Sequence, residues 1–385
     1  MIKTGATVLW QRLPIHLTTT IPQLANFGIY SDAPDSINGV PVINTLANIS
    51  NTSMLMDVFD GYHRQVEILD NHYNLELWTP EANVRYPWDM DKFKNVPMVY
   101  HAYHTMPVAK WYIFMDADTF IFWDGMFKWL DTLNSDDLLY LGSAAMMGGE
   151  LFAHGGSGVI MSGALIRKVF DVNNFDFMKW EHRADTVCCG DFVISRLFHE
   201  AGVDVPNLAE KPAEWRIQGE PPKFVYFGDG KWCEQILTFH HVTPHDINEL
   251  RQFEIKHKSE TILYRDIYKE FVMPYLQVGR QEHWDNQARA LEFTAKDDQD
   301  EPAHKSYDNC RQKCIEWDGC LEFRYKQGYC GMADWLVYGV RDVQPDGKTY
   351  SSEWMLDRIR ELRKRSGCDS DILPYGQDEG SFWQS

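Results

Sequence analysis

One stretch indicates the fold: Trp111-Tyr112-Ile113-Phe114-Met115-Asp116-Ala117-Asp118. Its first five residues have the length and the β-forming content of a buried central strand. We therefore expect two carboxylates, Asp116 and Asp118, at the carboxyl end of that strand. Ligands of open α/β sheets gather at the carboxyl ends of strands, so this position favours a functional site.

The sequence around this strand predicts a mixed α/β domain. Residues 6–275 alternate short apolar runs with helical stretches, a pattern typical of a mixed sheet with crossover helices. Asp124 and Ser162 can each cap the helix that follows them. A third helix is expected from Asp191 to about Ala201.

Length and charge exclude several classes of protein. The 385 residues exceed what one hydrophobic core usually organises, so two domains are expected. The formal net charge of −19 would repel a phosphate backbone, which excludes nucleic-acid binding. No apolar run reaches the roughly 18 to 20 residues of a membrane span, and no signal-peptide pattern opens the chain. The chain as written is therefore expected to be soluble.

The cysteines predict a disulfide-bonded module. Two glycosylation sequons, at Asn48 and Asn51, also favour the secretory pathway. A zinc site is the alternative reading of the cysteines, but paired Cys-x-x-Cys knuckles are missing. Four cysteines permit three disulfide connectivities. Four of the eight cysteines lie in one short segment, at Cys310, Cys314, Cys320 and Cys330.

Charge and composition suggest the domain boundaries. The charge rises between about residues 281 and 301, as in a solvated linker. We expect an α/β domain over residues 1–285, a linker over 286–301, a small α+β cysteine module over 302–361 and a polar tail over 362–385.

Two motifs suggest nucleotide chemistry. Aspartates one residue apart at a strand end, Asp116 and Asp118, can hold a divalent cation that bridges the phosphates of a nucleotide. Asp-x-Asp also occurs in ordinary solvated turns. The glycines of His154-Gly155-Gly156-Ser157-Gly158 could let the backbone approach a ligand closely, although an ordinary turn is the alternative. This loop is neither a Walker motif nor a dinucleotide fingerprint.

Four motifs follow one another along the chain: Asp116-Ala117-Asp118-Thr119, Gly155-Gly156-Ser157-Gly158, Cys188-Cys189-Gly190-Asp191 and Phe239-His240-His241-Val242. Their order resembles glycosyltransferase family 31, the fringe and core 1 β1,3-galactosyltransferase-like enzymes, and most closely its fungal branch. The resemblance covers about residues 2–246, and the cysteine segment resembles the PAN or apple module of many fungal members. It implies a GT-A fold that transfers a hexose or N-acetylhexosamine from a UDP-sugar with inversion, using manganese. The implied acceptor is a glycan or glycoprotein hydroxyl, and the implied linkage is β1,3.

The resemblance assigns the chemistry to a few residues. Asp116 and Asp118 match the carboxylates of the metal and nucleotide, and His240 matches the histidine that completes the metal site. His241 is the alternative candidate for this metal ligand. Asp191 matches the catalytic aspartate, here preceded by glycine instead of a second acid. A carboxylate at a helix N-terminus is held ionised by the helix dipole, although a plain capping aspartate is the alternative.

Further assignments concern the donor and the disulfides. Lys94 matches a lysine near the diphosphate, and Thr4 and Asp32 lie where the uridine end would bind. Gly155 and Gly156 complete the predicted nucleotide site. Cys188 or Cys189 could pair with Cys233, and the nested pairs Cys310–Cys330 and Cys314–Cys320 fit the family.

The resemblance also implies a cellular compartment, and one alternative function stays open. It implies an enzyme of the Golgi lumen whose membrane anchor is absent from the chain as written. The alternative is a catalytically inactive glycan-binding or adhesion protein on a transferase fold. Joint retention of Asp116, Asp118, Asp191 and His240 argues against that alternative.

Overall fold

The computed structural model of the protein describes residues 1–71, 75, 78, 88–203, 216–257, 261–276, 278–296, 302–344 and 347–368. The chain divides into two units. Unit 1 contains Met1–Gly219 and Leu237–Glu260, and unit 2 contains Glu220–Ile236 and Thr261–Ser385. This division differs from the predicted boundary at residue 285, because residues 220–236 and 261–285 group with unit 2.

Unit 1 is built on a seven-stranded mixed sheet flanked by helices, which confirms the predicted α/β class. Across the sheet the strands are β3 (Asp35–Ile37), β4 (Val40–Asn44), β2 (Ile29–Ser31), β1 (Ile2–Lys3), β5 (Trp111–Asp116), β10 (Val159–Ser162) and β7 (Tyr140–Leu141). Strands β4, β2, β1 and β5 run parallel, and β3, β10 and β7 are antiparallel to their neighbours.

Smaller elements complete unit 1. Strand β6 (Phe120–Ile121) pairs with β11 (Thr238–Phe239), and β8 (Ala144–Met147) pairs with β9 (Glu150–Ala153). Single turns of 3-10 helix lie at Pro14–Leu17, Ile21–Gln23, Asp57–Phe59 and Gly155–Ser157. The helices are α1 (Leu9–Arg12), α2 (Asn51–Met54), α3 (Asp60–Asp70), α4 (Trp88–Thr105), α5 (Trp123–Leu130), α6 (Gly163–Phe170), α7 (Phe177–Asp185), α8 (Gly190–Glu200) and α9 (Pro244–Lys256).

Strand β5 is a core strand, as its sequence predicts. Tyr112, Phe114 and Met115 are buried in the main hydrophobic cluster of unit 1. Tyr112 and Phe114 share one face of the sheet and Met115 lies on the other, so both faces of the strand are covered. The strand ends at Asp116, so the pair of aspartates does lie at its carboxyl end.

One predicted helix cap is confirmed and another is wrong. Ser162 caps α6 as predicted, since its side chain accepts a hydrogen bond from the Leu165 amide. Asp124 does not cap α5, because that helix already begins at Trp123 and Asp124 lies inside its first turn. Asp191 is likewise the second residue of α8 and not its cap. It still lies where the helix dipole favours a negative charge.

Unit 2 contains a five-stranded antiparallel sheet with helices, and a two-stranded ribbon. The sheet order is β12 (Arg280–Glu282), β18 (Ser351–Trp354), β15 (Glu322–Lys326), β16 (Tyr329–Ala333) and β14 (Leu291–Thr294). The ribbon is β13 (Trp284–Asp285) with β17 (Val340–Arg341). The helices are α10 (Tyr264–Phe271), α11 (Tyr307–Glu316) and α12 (Leu356–Ser366), with 3-10 turns at Pro222–Phe224, Met273–Tyr275 and Ala303–Lys305.

Two segments of unit 2 differ from their predicted roles. Strand β14 lies inside the segment predicted as a linker, where it pairs with β16. Helix α12 extends five residues into the predicted polar tail, and residues 369–385 of that tail lie outside the described residues. In the predicted linker, strand pairing at the edge of the sheet outweighs the effect of the high local charge. In the predicted tail, the buried apolar face of the helix does so. Over the described residues, no helix has the length and apolar character that crossing a bilayer requires.

The disulfides confirm part of the predicted pairing. Cys310–Cys330 and Cys314–Cys320 form the nested pattern, which removes zinc as a role for these sulfurs. The prediction for Cys233 is wrong, because Cys233 pairs with Cys368 across a Cα–Cα distance of 5.8 Å. Cys188 and Cys189 pair with each other. Cys233 and Cys368 both belong to unit 2, whereas Cys188 and Cys189 belong to unit 1. Such disulfides are typical of proteins that fold in an oxidising compartment.

A buried acid makes the stability of unit 2 depend on pH. Burial raises the pKa of Glu322 well above its usual range, although the Val337 amide donates a hydrogen bond to the carboxyl group. The folded state therefore binds a proton that the unfolded state releases. Stability from this group is complete below the ordinary glutamate pKa, and it falls as the pH rises towards the folded value.

We therefore expect Glu322→Gln to flatten this pH dependence between pH 5 and pH 8. Each unit by which the pKa is raised corresponds to about 1.4 kcal/mol of unfolding free energy at high pH. Hydrogen exchange of peptides from β15, corrected for intrinsic exchange at each pH, measures the difference. Glu316→Gln, at an exposed position of unit 2, is the control. Equal pH slopes for wild type and Glu322→Gln would contradict the assignment.

Candidate metal centre

Hydrogen bonds join the loop after β5 to strand β1, to His16 and to the glycine-rich loop. The Ala117 amide donates to the Lys3 carbonyl at 2.8 Å, which continues the β1–β5 pairing past Asp116. The buried His16 donates from Nε2 to the Ala117 carbonyl at 2.9 Å. Thr119 Oγ1 donates to the Gly156 carbonyl at 2.5 Å. The loop that carries Asp118 is therefore joined to the glycine-rich loop. Sequence reasoning missed His16, because its partner is a backbone atom far away in the chain.

Strand β11 brings the histidine pair to this loop. It pairs with β6, which follows Asp118, and the Val242 amide donates to the Asp118 carbonyl at 3.1 Å. Ligand atoms of Asp118, His240 and His241 then lie within 4.8 Å of one another. His240 Nε2 is 3.5 Å from Asp118 Oδ1, and His241 Nδ1 is 3.9 Å from Asp118 Oδ2. The structure thus groups both histidines with Asp118.

This cluster fits a divalent transition metal. One carboxylate and two imidazoles suit first-row cations such as manganese or zinc. Nδ1 of the buried His240 has no hydrogen-bond partner. His241 is 64% exposed, and its backbone φ of 56° turns the chain directly after His240. The His240 nitrogen beside the carboxylate is Nε2, so Nε2 and the carboxylate of Asp118 are the atoms that a bound cation would use.

Asp116 lies beside this cluster and outside the set of three. Lys3 Nζ is 3.3 Å from Asp116 Oδ1, an oxygen that is buried and accepts no hydrogen bond. Burial raises the pKa of Asp116, the ammonium of Lys3 opposes this shift, and the neighbouring carboxylates of Asp91 and Asp118 add to it. The predicted metal set of Asp116, Asp118 and His240 therefore differs from the observed grouping, in which His241 takes the third place.

Asp118 is kept ionised by its neighbours. Burial alone would raise its pKa, but the hydrogen bond from His240 and the charge of Arg12 hold the pKa of Asp118 below its usual range. Arg12 Nη1 lies 3.0 Å from Asp118 Oδ2. Burial lowers the pKa of His241, and the charge of His240 lowers it further. Neutral imidazole and ionised carboxylate are the forms that bind a metal.

The glycine-rich loop has a role that its sequence did not predict. A Cβ at Gly156 would lie 2.1 Å from the His240 ring, so the glycine makes room for that histidine. The Gly155 amide donates to Asp191 Oδ2 at 2.9 Å. The two glycines position the protein's own metal and acid side chains, in addition to lining the cleft described below.

Gly156→Ala should displace His240 and abolish tight metal binding without unfolding the chain. The added methyl group overlaps a ring atom at a distance that no real Cβ contact shows, so the imidazole has to turn away. We expect Mn²⁺ affinity to fall by at least about 10-fold, the lower end of losses that follow a misoriented ligand. Electron paramagnetic resonance of free Mn²⁺ measures it. Gly228→Ala, whose Cβ would meet nothing closer than 3.7 Å, is the control. Wild-type affinity in Gly156→Ala would contradict this role.

Asp191 faces the cleft from the N-terminus of α8. Its Oδ1 accepts from the Phe192 amide at 2.9 Å, and Oδ2 accepts from the Gly155 amide. Both hydrogen bonds come from main-chain donors, so the carboxylate is oriented by rigid backbone. Cys189 occupies the N-cap position of this helix without a capping hydrogen bond from its side chain, and it also lines the cleft.

These groups line a cleft of about 560 Å³. That volume suits a nucleotide-sized ligand. Asp32 is the one predicted site residue that does not line it. That carboxylate is fully buried and accepts from the Ala6 amide at 2.7 Å, so it supports the loop after β1. The predicted residues that do line the cleft are Thr4, Lys94, Asp116, Asp118, Gly155, Gly156, Asp191 and His240.

Two lysines of the cleft share one acid that sequence reasoning missed. Lys94 Nζ lies 3.1 Å from Asp91 Oδ1 and donates to the Thr4 carbonyl at 3.1 Å. Lys3 forms an ion pair with Asp91 and another with Asp116. Burial opposes both charges, yet the carboxylates hold the pKa of Lys3 above its usual range, and the lysines hold the pKa of Asp91 below its own. These charges are therefore fixed in place.

His154 is a further residue that the motifs did not single out. Its Nδ1 shares a hydrogen bond with Ser157 Oγ at 2.8 Å, and its ring centre lies 5.3 Å from that of His240. Burial lowers the pKa of His154, which favours the neutral ring. Lys92, two residues before Lys94, is not among the residues that line the cleft. Its Nζ donates to the Asp185 carbonyl at 3.2 Å.

Comparison with protein-family models finds no match to this chain, and no curated protein matches it.

Proposed function

We propose that the protein is an inverting, metal-dependent glycosyltransferase with a GT-A catalytic domain, acting on a UDP-sugar. One observation carries the proposal: the cluster of Asp118, His240 and His241 and the oriented carboxylate of Asp191 line the same cleft of about 560 Å³. A metal-binding cluster and a separate oriented base in one cleft of nucleotide size are the parts that metal-assisted sugar transfer needs.

Asp118, His240 and His241 would hold Mn²⁺ or another divalent cation. When bound, the cation would compensate the charge that develops on the departing diphosphate. Lys94 and Lys3 line the same cleft and neutralise Asp91 and Asp116 there. Thr4, Gly155 and Gly156 also line it and would present backbone to the nucleotide. The ion pairs reduce the repulsion between these acids and an anionic donor.

Asp191 would accept the proton of the acceptor hydroxyl. The amides of Gly155 and Phe192 hold its two oxygens, so the carboxylate needs no reorganisation before it acts. The hydroxyl oxygen then bonds to the anomeric carbon while the bond from that carbon to the diphosphate breaks. Attack opposite an α-linked leaving group gives a β-linked product, which the resemblance narrows to β1,3.

The remaining features suit an enzyme of the secretory pathway. We propose fungal-type family 31 membership, a glycan or glycoprotein acceptor, and a PAN or apple-like role for the disulfide-bonded part of unit 2. The three disulfides of unit 2 agree with an oxidising compartment, and the Golgi lumen is the compartment we propose.

A panel of UDP-sugars, assayed for hydrolysis and transfer with Mn²⁺ and with excess chelator, tests the function. We expect one or a few donors to be consumed only in the presence of the metal, with a β-linked product. Glycan binding without turnover of any donor would overturn the proposal in favour of an inactive glycan-binding protein. Turnover that persists unchanged in chelator would overturn the metal dependence.

A further inference from the structure

Arg12 is an exposed cation of the cleft. Among the described residues three Lys and Arg side chains line it, and two of them, Lys3 and Lys94, are almost completely buried. Each of these lysines forms an ion pair with Asp91. Arg12 ends the short helix α1, and its side chain is 44% exposed. Of these three cations, Arg12 is the one that can change partner without leaving a buried charge behind.

The present partner of Arg12 is a candidate metal ligand. Arg12 Nη1 lies 3.0 Å from Asp118 Oδ2, the same oxygen that lies 3.9 Å from His241 Nδ1. A divalent cation at this cluster would therefore meet a guanidinium on one of its ligand oxygens. A metal ion and a guanidinium on the same carboxylate repel each other, so metal binding would weaken this ion pair.

A released guanidinium would face an anionic ligand. Arg12 lines the cleft in which the diphosphate of a UDP-sugar would lie under the proposed function. The planar fork of a guanidinium matches two phosphate oxygens, and such charge-assisted pairs are stronger than neutral hydrogen bonds. The fixed lysines already neutralise Asp91 and Asp116, which leaves Arg12 as the adjustable charge for the ligand.

We infer that Arg12 is an exchangeable counter-ion that occupies Asp118 without metal and turns to the diphosphate once metal is bound. This inference rests on the proposed function for its second half, the diphosphate. Its first half, competition with the metal, concerns the protein and the cation alone. Metal would thus prepare the nucleotide site by freeing Arg12, in addition to any contact of its own.

The first arm of the test uses Mn²⁺ alone. Arg12→Gln should bind Mn²⁺ about 2- to 5-fold more tightly than wild type, the loss of one partly exposed ion pair. Arg12→Lys, which keeps the charge, should stay close to wild type. Arg64→Gln makes the same change in an exposed pair with Glu67 on α3, away from the cleft, and should have no effect. Electron paramagnetic resonance of free Mn²⁺ measures all four proteins.

The second arm measures UDP binding by calorimetry at saturating Mn²⁺. Arg12→Gln should weaken it by about 10-fold or more, while Arg64→Gln should not. Tighter Mn²⁺ binding together with weaker UDP binding supports the exchange. Unchanged or weaker Mn²⁺ binding, or unchanged UDP binding, overturns it. A wild-type protein that binds Mn²⁺ but no UDP overturns the proposed function and the diphosphate half of the exchange, and the Mn²⁺ arm still decides the other half.

Discussion

Asp191→Asn should reduce turnover by about 10²- to 10⁴-fold, the usual contribution of a positioned general base. The affinity for UDP should stay nearly unchanged. The asparagine carbonyl can still accept the hydrogen bond that the Gly155 amide donates to Asp191, which joins the loop to α8. The variant loses the acceptor for the amide of the adjacent Phe192 and the ability to take a proton. Binding and chemistry are therefore expected to separate.

Calorimetry of UDP binding and a transfer assay on the same protein decide this prediction. Asp60→Asn is the matched control, because Asp60 is an exposed acid in the first turn of α3 and does not line the cleft. Near-normal turnover of Asp191→Asn, or a product that keeps the α configuration of the donor, would remove Asp191 from the role of base. Equal losses in both variants would point to a helix effect instead.

Asp118→Ala should abolish Mn²⁺ binding and reduce turnover to the level seen in excess chelator. Asp118 supplies the carboxylate of the cluster, and its removal leaves two imidazoles without a charged ligand. We expect a loss of at least about 10²-fold in turnover, the size of effect seen when one transition-state charge contact is removed. The fold should survive, because Asp118 follows the end of β5 and is not part of the core.

Mn²⁺ titration and activity are measured together with circular dichroism of each variant. Asp136→Ala, which removes a largely exposed carboxylate of unit 1, is the control. His240→Ala and His241→Ala measured in parallel show which imidazole the metal uses, or whether it uses both. Full activity of a folded Asp118→Ala protein would mean that the cluster does not hold a catalytic metal.

Local sequence patterns account for the elements and for part of the site. The length and β-forming content of Trp111–Asp116 predict a central strand that ends in a carboxylate, because strand propensity and termination depend on neighbouring residues. The cap at Ser162 is local in the same sense. Cysteine spacing within a short segment predicts a disulfide staple, and the family resemblance implied its pairing, Cys310–Cys330 and Cys314–Cys320. These features need no knowledge of distant parts of the chain.

Cysteine pairing over long distances shows the limit of such reasoning. Cys233 lies closer in sequence to Cys188 and Cys189 than to Cys368, yet it pairs with Cys368 in unit 2. The number of residues between two cysteines sets the entropic cost of closing the loop between them, and that cost grows only slowly with loop length. Which sulfurs meet is decided by the unit into which each segment packs.

The sequence by itself determined the mixed α/β class, the strand that carries Asp116 and Asp118, and the candidate residues of the site. Only the tertiary structure decided their arrangement. It placed His241 beside His240 and Asp118, buried Asp32 beneath the loop after β1, and used Gly156 to make room for an imidazole. The physical reason is that sequence patterns encode relations between near neighbours, whereas a site is a set of distances between residues that only sheet pairing brings together.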